Sequence, residues 1–129
     1  MIDRNLSVVA MHIENEARDP ALVMDLYTDD VVQEFPTREL VFDNKADIEA
    51  NYRRTFAAMA DVRLEPLERF ATEDRVVDDM IVRCRIEAEG LENCPLPVGS
   101  DVELRLFHVF HMRGGLIARE IVHELWTAI

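Results

Sequence analysis

The sequence predicts an α+β domain in which helices come first and then close over one face of an antiparallel sheet. Three observations carry that prediction. Apolar residues recur at three-to-four spacing through the first sixty or so positions, the period changes to two after Asp61, and turn residues such as Pro20, Pro36 and Gly114-Gly115 punctuate the elements. With 129 residues, 49% of them hydrophobic, the chain can bury a core as one domain spanning 1–129.

The first helix is expected from Leu6, Val9, Ile13 and Ala17 and should stop near Arg18. Asp19 then caps a second, short helix that Pro20 opens and that carries Leu22, Val23, Leu26 and Tyr27 as far as Asp29-Asp30. Val31 to Phe35 reads as a strand closed by Pro36, followed by a polar turn. Asp43 or Asn44 caps a third helix with Ile48, Tyr52, Phe56 and Met59 on one stripe. Four strands follow, at about Val62 to Thr72, Val76 to Glu89, Asp101 to Met112 and Leu116 to Trp126. Alternation turns Met80, Val82, Cys84 and Ile86 to the core, and likewise Leu104, Leu106, His108 and Phe110. A strongly twisted sheet folded over helices leaves a conical cavity.

Composition excludes several functions. Against 26 Asp and Glu there are 14 Lys and Arg, a formal charge of −12, so a phosphate backbone or an anionic membrane surface is a poor partner. No apolar run approaches the roughly 20 residues that cross a bilayer. The N-terminal stretch lacks the features of a secretory signal, so the expectation is a cytoplasmic protein with free thiols at Cys84 and Cys94. No phosphate loop, dinucleotide fingerprint or elbow serine is present, so no cofactor is expected. A metal is not expected either, because His108 and His111, three apart on a strand, project to opposite faces.

His108 stands out as a titratable group in an apolar row. If Arg113-Gly114-Gly115 form a three-residue hairpin loop, Met112 pairs with Leu116 and His108 lies opposite Glu120, both inward, with Cβ atoms about 5 Å apart. A two-residue Gly114-Gly115 turn sets His108 opposite Ile121 instead and turns Glu120 outward. In the first register Glu120 orients His108 as a general base; the bland alternative is a core histidine satisfied by its neighbours. Tyr52 is expected to reach a polar partner in or near the cavity, and Leu106, Phe110, Val122 and Glu124 share the inward parity. Arg83, Arg85, Glu87, Glu89, Glu103 and Arg105 read as cross-strand charge pairs on the solvent or subunit-facing side.

Three strings, Glu14 to Pro20, Leu26 to Pro36 and Phe110 to Glu120, in this order and with these separations, resemble the nuclear-transport-factor-like superfamily, above all its SnoaL-like and ketosteroid-isomerase-like branches. The resemblance covers nearly the whole chain and implies a cone-shaped α+β barrel, cystatin-like in outline. It sets His12 near a substrate-binding tyrosine of ketosteroid-isomerase-like proteins, Gln33, Glu34 and Phe35 near a polar cavity position, and Glu124 near an acidic residue of polyketide cyclases. Epoxide-hydrolase and phenazine-biosynthesis relatives carry a carboxylate where this chain has Val122, so their mechanism does not transfer. Arg85-Ile86-Glu87 matches an epoxide-opening Arg-x-Asp unit in spacing only, since alternation points both charges outward.

The expectation is therefore an enzyme moving protons on a small apolar carbonyl compound, by isomerisation, cyclisation or dehydration. Its base is His108 with Glu120, and His12, Glu34, Tyr52, Leu106, Phe110, Val122 and Glu124 contact substrate. The alternative is a non-catalytic ligand-binding or dimerisation module. In either case Phe107, Val109 and His111 offer a stripe for a homodimer on the outer sheet face.

Overall fold

A computed structural model describes residues 1–129. Three helices, α1 (Ile2–Asn15), α2 (Pro20–Met24) and α3 (Lys45–Ala57), pack on a curved sheet of six strands. These are β1 (Tyr27–Phe35), β2 (Leu40–Phe42), β3 (Met59–Ala71), β4 (Arg75–Ile86), β5 (Asp101–Arg113) and β6 (Leu116–Ala128). Their spatial order is β2-β1-β6-β5-β4-β3. The sheet is mixed rather than antiparallel, because β1 runs parallel to β6.

The caps behave as their chemistry requires. Asp19 Oδ1 accepts from the Leu22 amide at 3.3 Å, and Asn44 Oδ1 accepts from the Asp47 amide at 2.8 Å. The second helix ends earlier than its apolar spacing implies, and Leu26 and Tyr27 leave it. Pairing explains this: the Ile117 amide donates to the Leu26 carbonyl at 2.8 Å, and Tyr27 pairs with Ile117, so a sheet neighbour overrides local propensity. The stretch expected as a polar turn holds a short 3₁₀ helix, Pro36–Arg38, and strand β2. Met59 opens β3 instead of closing α3, and β4 stops at Ile86, three residues short of Glu89.

The core lies between the helices and the concave sheet face, with Val9, Val23, Ile48, Val76, Val102, Phe110 and Ile117 excluded from solvent. Each such side chain contributes roughly 1.5–3 kcal/mol by burial. On the convex face Arg83 pairs with Glu65 and Glu103, Arg105 with Asp79, and Arg85 with Asp61 and Glu87, while Ile86 points into the core. No helix is long and apolar enough to cross a membrane. Cys84 is buried, Cys94 is half-buried, and neither is in a disulfide.

The β5–β6 ribbon differs from both sequence alternatives. The turn has two residues, with Gly114 at φ 59° and Gly115 at φ 78°, the left-handed pair that a tight hairpin needs. By itself that turn sends Glu120 outward. A bulge then intervenes: Met112 pairs with Ile117 but His111 pairs with Arg119, which leaves Ala118 as an extra residue in β6. Beyond it Phe110 opposes Glu120, and His108 opposes Val122. Glu120 is thus carried inward, although not opposite His108.

Candidate active site

The helices and sheet line a cavity of about 70 Å³ that is partly open to solvent. Most of its wall is apolar, including Phe35, Phe56, Leu104, Leu106 and Val122. Its polar groups arrive from opposite sides: His108, Glu120 and Glu124 from the sheet, Glu16, Asn51, Tyr52 and Thr55 from the helices.

His108 is held by Asp78, its partner in the β4–β5 ladder. Its Nδ1 lies 3.4 Å from the Asp78 carbonyl oxygen and 3.6 Å from Oδ2, and its ring stacks on Phe110 with centroids 5.6 Å apart. Arg69 Nε donates to the other carboxylate oxygen of Asp78 at 2.7 Å. Burial disfavours the charged imidazole, but the Asp78 carboxylate and the more distant Glu120 and Glu16 outweigh it, so the His108 pKa rises above the usual histidine value. Burial likewise pushes Asp78 up, and His108 and Arg69 more than reverse it. The contacts of His108 are made through Nδ1, which leaves Nε2 as the nitrogen for a group in the cavity.

Glu120 belongs to a second cluster, assembled from four other elements. Its Oε1 accepts from Tyr27 at 2.8 Å, Gln33 at 3.2 Å and Tyr52 at 3.3 Å, and lies 3.3 Å from His12 Nε2. His12 Nε2 also meets the hydroxyls of Tyr27 at 2.8 Å and Tyr52 at 3.0 Å, and Gln33 donates to Tyr52 at 2.7 Å. Burial alone would raise the Glu120 pKa, but the charge and hydrogen bond of His12 bring it down to about 2. The His12 imidazole, itself opposed by burial, is raised by Glu120 and Glu16. Glu16 reaches His12 Nδ1 at 3.4 Å, and its own enclosure raises it to about 7 despite that imidazole. Glu120 is therefore a fixed anion with His12 as its counter-ion, not the orienting partner of His108.

At the far end of the cavity Arg38, almost fully buried, donates from Nε to both oxygens of Glu124 at 3.0 and 3.2 Å and from Nη1 to the Glu92 carbonyl at 3.0 Å. Its guanidinium lies 4.7 Å from the centre of the Phe35 ring. Burial raises Glu124 even so.

Of the residues expected to contact substrate, Tyr52, Leu106, Val122 and Glu124 line the cavity. His12 and Phe110 do not: both are fully buried behind the wall, with ring centroids 5.4 Å apart. Glu34 is directed away, and Arg119 donates to it at 2.7 Å, because the alternation that turns Gln33 and Phe35 inward sends it to the other face. Asp78 and Arg38 escaped the sequence reading. Asp78 shares the parity of Met80 and Val82, which is the signal that finds it; nothing local marks Arg38, since a buried arginine is rare and its partner is 86 residues away.

The family model for the SnoaL-like domain matches residues 9–120, and the chain belongs to that family. Among solved structures, a protein described as a candidate SnoaL-like polyketide cyclase from Jannaschia sp. superposes with a TM-score of 0.83 at 13% identity, covering 96% of this chain and 87% of that one. An LEH-like epoxide hydrolase from M. tuberculosis gives 0.74 at 14% identity over 96% and 84%. An NTF2-like protein of unknown function from Burkholderia pseudomallei gives 0.75 at 20% identity over 93% and 89%. These likenesses describe the fold. No curated protein matches the chain.

Proposed function

We propose that this protein catalyses proton transfer at a carbon next to a carbonyl group in a small, largely apolar compound, as an isomerase, cyclase or dehydratase that needs no cofactor. One observation carries the reading: His108 Nδ1 faces two acceptor oxygens of buried Asp78, at 3.4 and 3.6 Å, while the residue borders an apolar cavity, an arrangement that favours the tautomer with Nε2 open as a general base. Neighbours described as a polyketide cyclase and an epoxide hydrolase support catalysis as a use of this fold without selecting a reaction.

In this reading His108 Nε2 removes the proton and Tyr52 stabilises the oxygen on which charge develops. The Tyr52 hydroxyl receives a hydrogen bond from Gln33 and gives its own proton to Glu120 at 3.3 Å, the longest of the hydrogen bonds to that carboxylate; because Tyr27 and His12 also supply Glu120, a substrate oxygen can take the Tyr52 proton in its place. Asp78 sets the imidazole and strengthens its basicity, and the apolar wall keeps water from competing.

The test is exchange of α-protons of 2-pentanone in D2O, followed by NMR, together with conversion of a panel of cyclic ketones, enones and epoxides. Wild type should accelerate exchange, and His108→Ala should lose at least about a hundredfold. Absence of exchange and of turnover in wild type, with ligands bound equally by both proteins, would favour the binding-module reading instead.

A further inference from the structure

The helix side of the cavity carries a polar pair that the proposed proton transfer does not use. Asn51 and Thr55 stand one turn apart on the same face of α3, and both border the cavity. Asn51 is 2% exposed, and neither its amide oxygen nor the Thr55 hydroxyl has a hydrogen-bond partner in the protein. Buried polar groups normally find one, and leaving one unmatched is destabilising, so two together on a cavity wall point to a ligand group.

The chemistry of the pair defines that group. The Asn51 oxygen can only accept, whereas the Thr55 hydroxyl has a proton to give. A hydroxyl answers both, donating to Asn51 and accepting from Thr55. A carboxylate answers only Thr55 and leaves the Asn51 oxygen facing another acceptor. His108 approaches from the sheet side, so the pair lies across the cavity from the proposed base.

Building on the proposed reaction, we infer that Asn51 and Thr55 form a subsite for a hydroxyl group, and that the substrates are small hydroxylated carbonyl compounds rather than plain ketones. Thr55 and Asn51 are then specificity residues: the apolar wall holds the carbon skeleton, and the pair selects a substrate that carries its own donor and acceptor.

The experiment compares 2-pentanone with 5-hydroxy-2-pentanone as probes, titrated by NMR into wild type, Thr55→Val and Asn51→Leu. In wild type the hydroxyketone should bind at least about fivefold more tightly, the worth of one net hydrogen bond. Thr55→Val, an isosteric change, should erase that preference without weakening 2-pentanone, and its Tm should equal or exceed that of wild type. Equal binding of the two probes to wild type, or a preference that survives Thr55→Val, overturns the subsite and assigns the pair to water. If 2-pentanone binds or exchanges and the preference is absent, only the subsite falls. Failure of both probes to bind removes the subsite and the proposed reaction together.

Discussion

His108 and Asp78 are direct neighbours across the β4–β5 ladder, and the imidazole Nδ1 stands 3.6 Å from Asp78 Oδ2 and 3.4 Å from the carbonyl oxygen of the same residue. One residue thus supplies both contacts that orient the ring. Its carboxylate also keeps the imidazole pKa above the ordinary 6.5, against the pull of burial. The neutral base exists only above that raised value, so the rising limb of the α-proton exchange rate should lie at higher pH than a free histidine titrates. Asp78→Asn removes the charge and should move the limb to lower pH, with a plateau lower by on the order of tenfold or more. A pH–rate profile of both proteins, with the His108 ring protons followed by NMR, checks this.

The pH dependence of stability should carry the mark of Glu16. Its folded-state pKa, about 7, lies above the ordinary 4.5, so between these values the folded protein holds a proton that the unfolded chain releases. Stability must therefore fall as pH rises from about 4.5 to 7. Glu120 acts with the opposite sign: its folded-state pKa of about 2 is depressed, and its contribution is complete above 4.5 and lost as pH falls towards 2. Urea unfolding across pH 2 to 8 should give a maximum near pH 4.5 to 6, and Glu16→Gln should flatten the upper slope only.

Arg38 and Glu124 test the opposite end of the cavity. Removing one member of a buried ion pair strands the other, at a cost of roughly 3–5 kcal/mol. Arg38→Met should lower stability by about that amount, and Arg38→Met combined with Glu124→Leu should recover much of it. Denaturant midpoints of the two single variants and the double variant give the coupling.

For the outer sheet face we propose a homodimer. Phe107 is 40% exposed at the centre of the face, pairing with His123 in the ladder, and Leu125 is 67% exposed on the same strand as His123. Phe107→Glu should yield a monomer by light scattering coupled to gel filtration, while wild type elutes as a dimer. A wild-type monomer at tens of micromolar would remove the interface.

How much of this was legible in the sequence depends on the range of the interactions involved. Alternation alone turned His108 and Leu106 inward, because a strand's period is a local property. The same rule reaches Asp78 through Met80 and Val82, although a charge in that row reads as surface until its partners are known. Tyr27 illustrates the limit: its spacing from Val23 reads as helix, and only the distant β6 draws it into a strand. The Glu120 cluster draws on residues from α1, β1, α3 and β6, and no window of sequence holds them together. The Ala118 bulge has no glycine or proline to announce it, so the turn rule that pointed Glu120 inward did so with the wrong loop length and the wrong partner.

That single surplus residue reconciles a two-residue turn with an inward Glu120, and it makes the ribbon tolerant of losing one residue at that point. Deleting Ala118 should straighten the strand while Met112 still faces Ile117, His111 faces Arg119 and Phe110 faces Glu120, so that the carboxylate beside His12 stays where it is. A one-codon gain between Arg119 and Glu120 would do the opposite, carrying Glu120 and Val122 to the outside and stripping the imidazole of its counter-charge while the architecture around it persists.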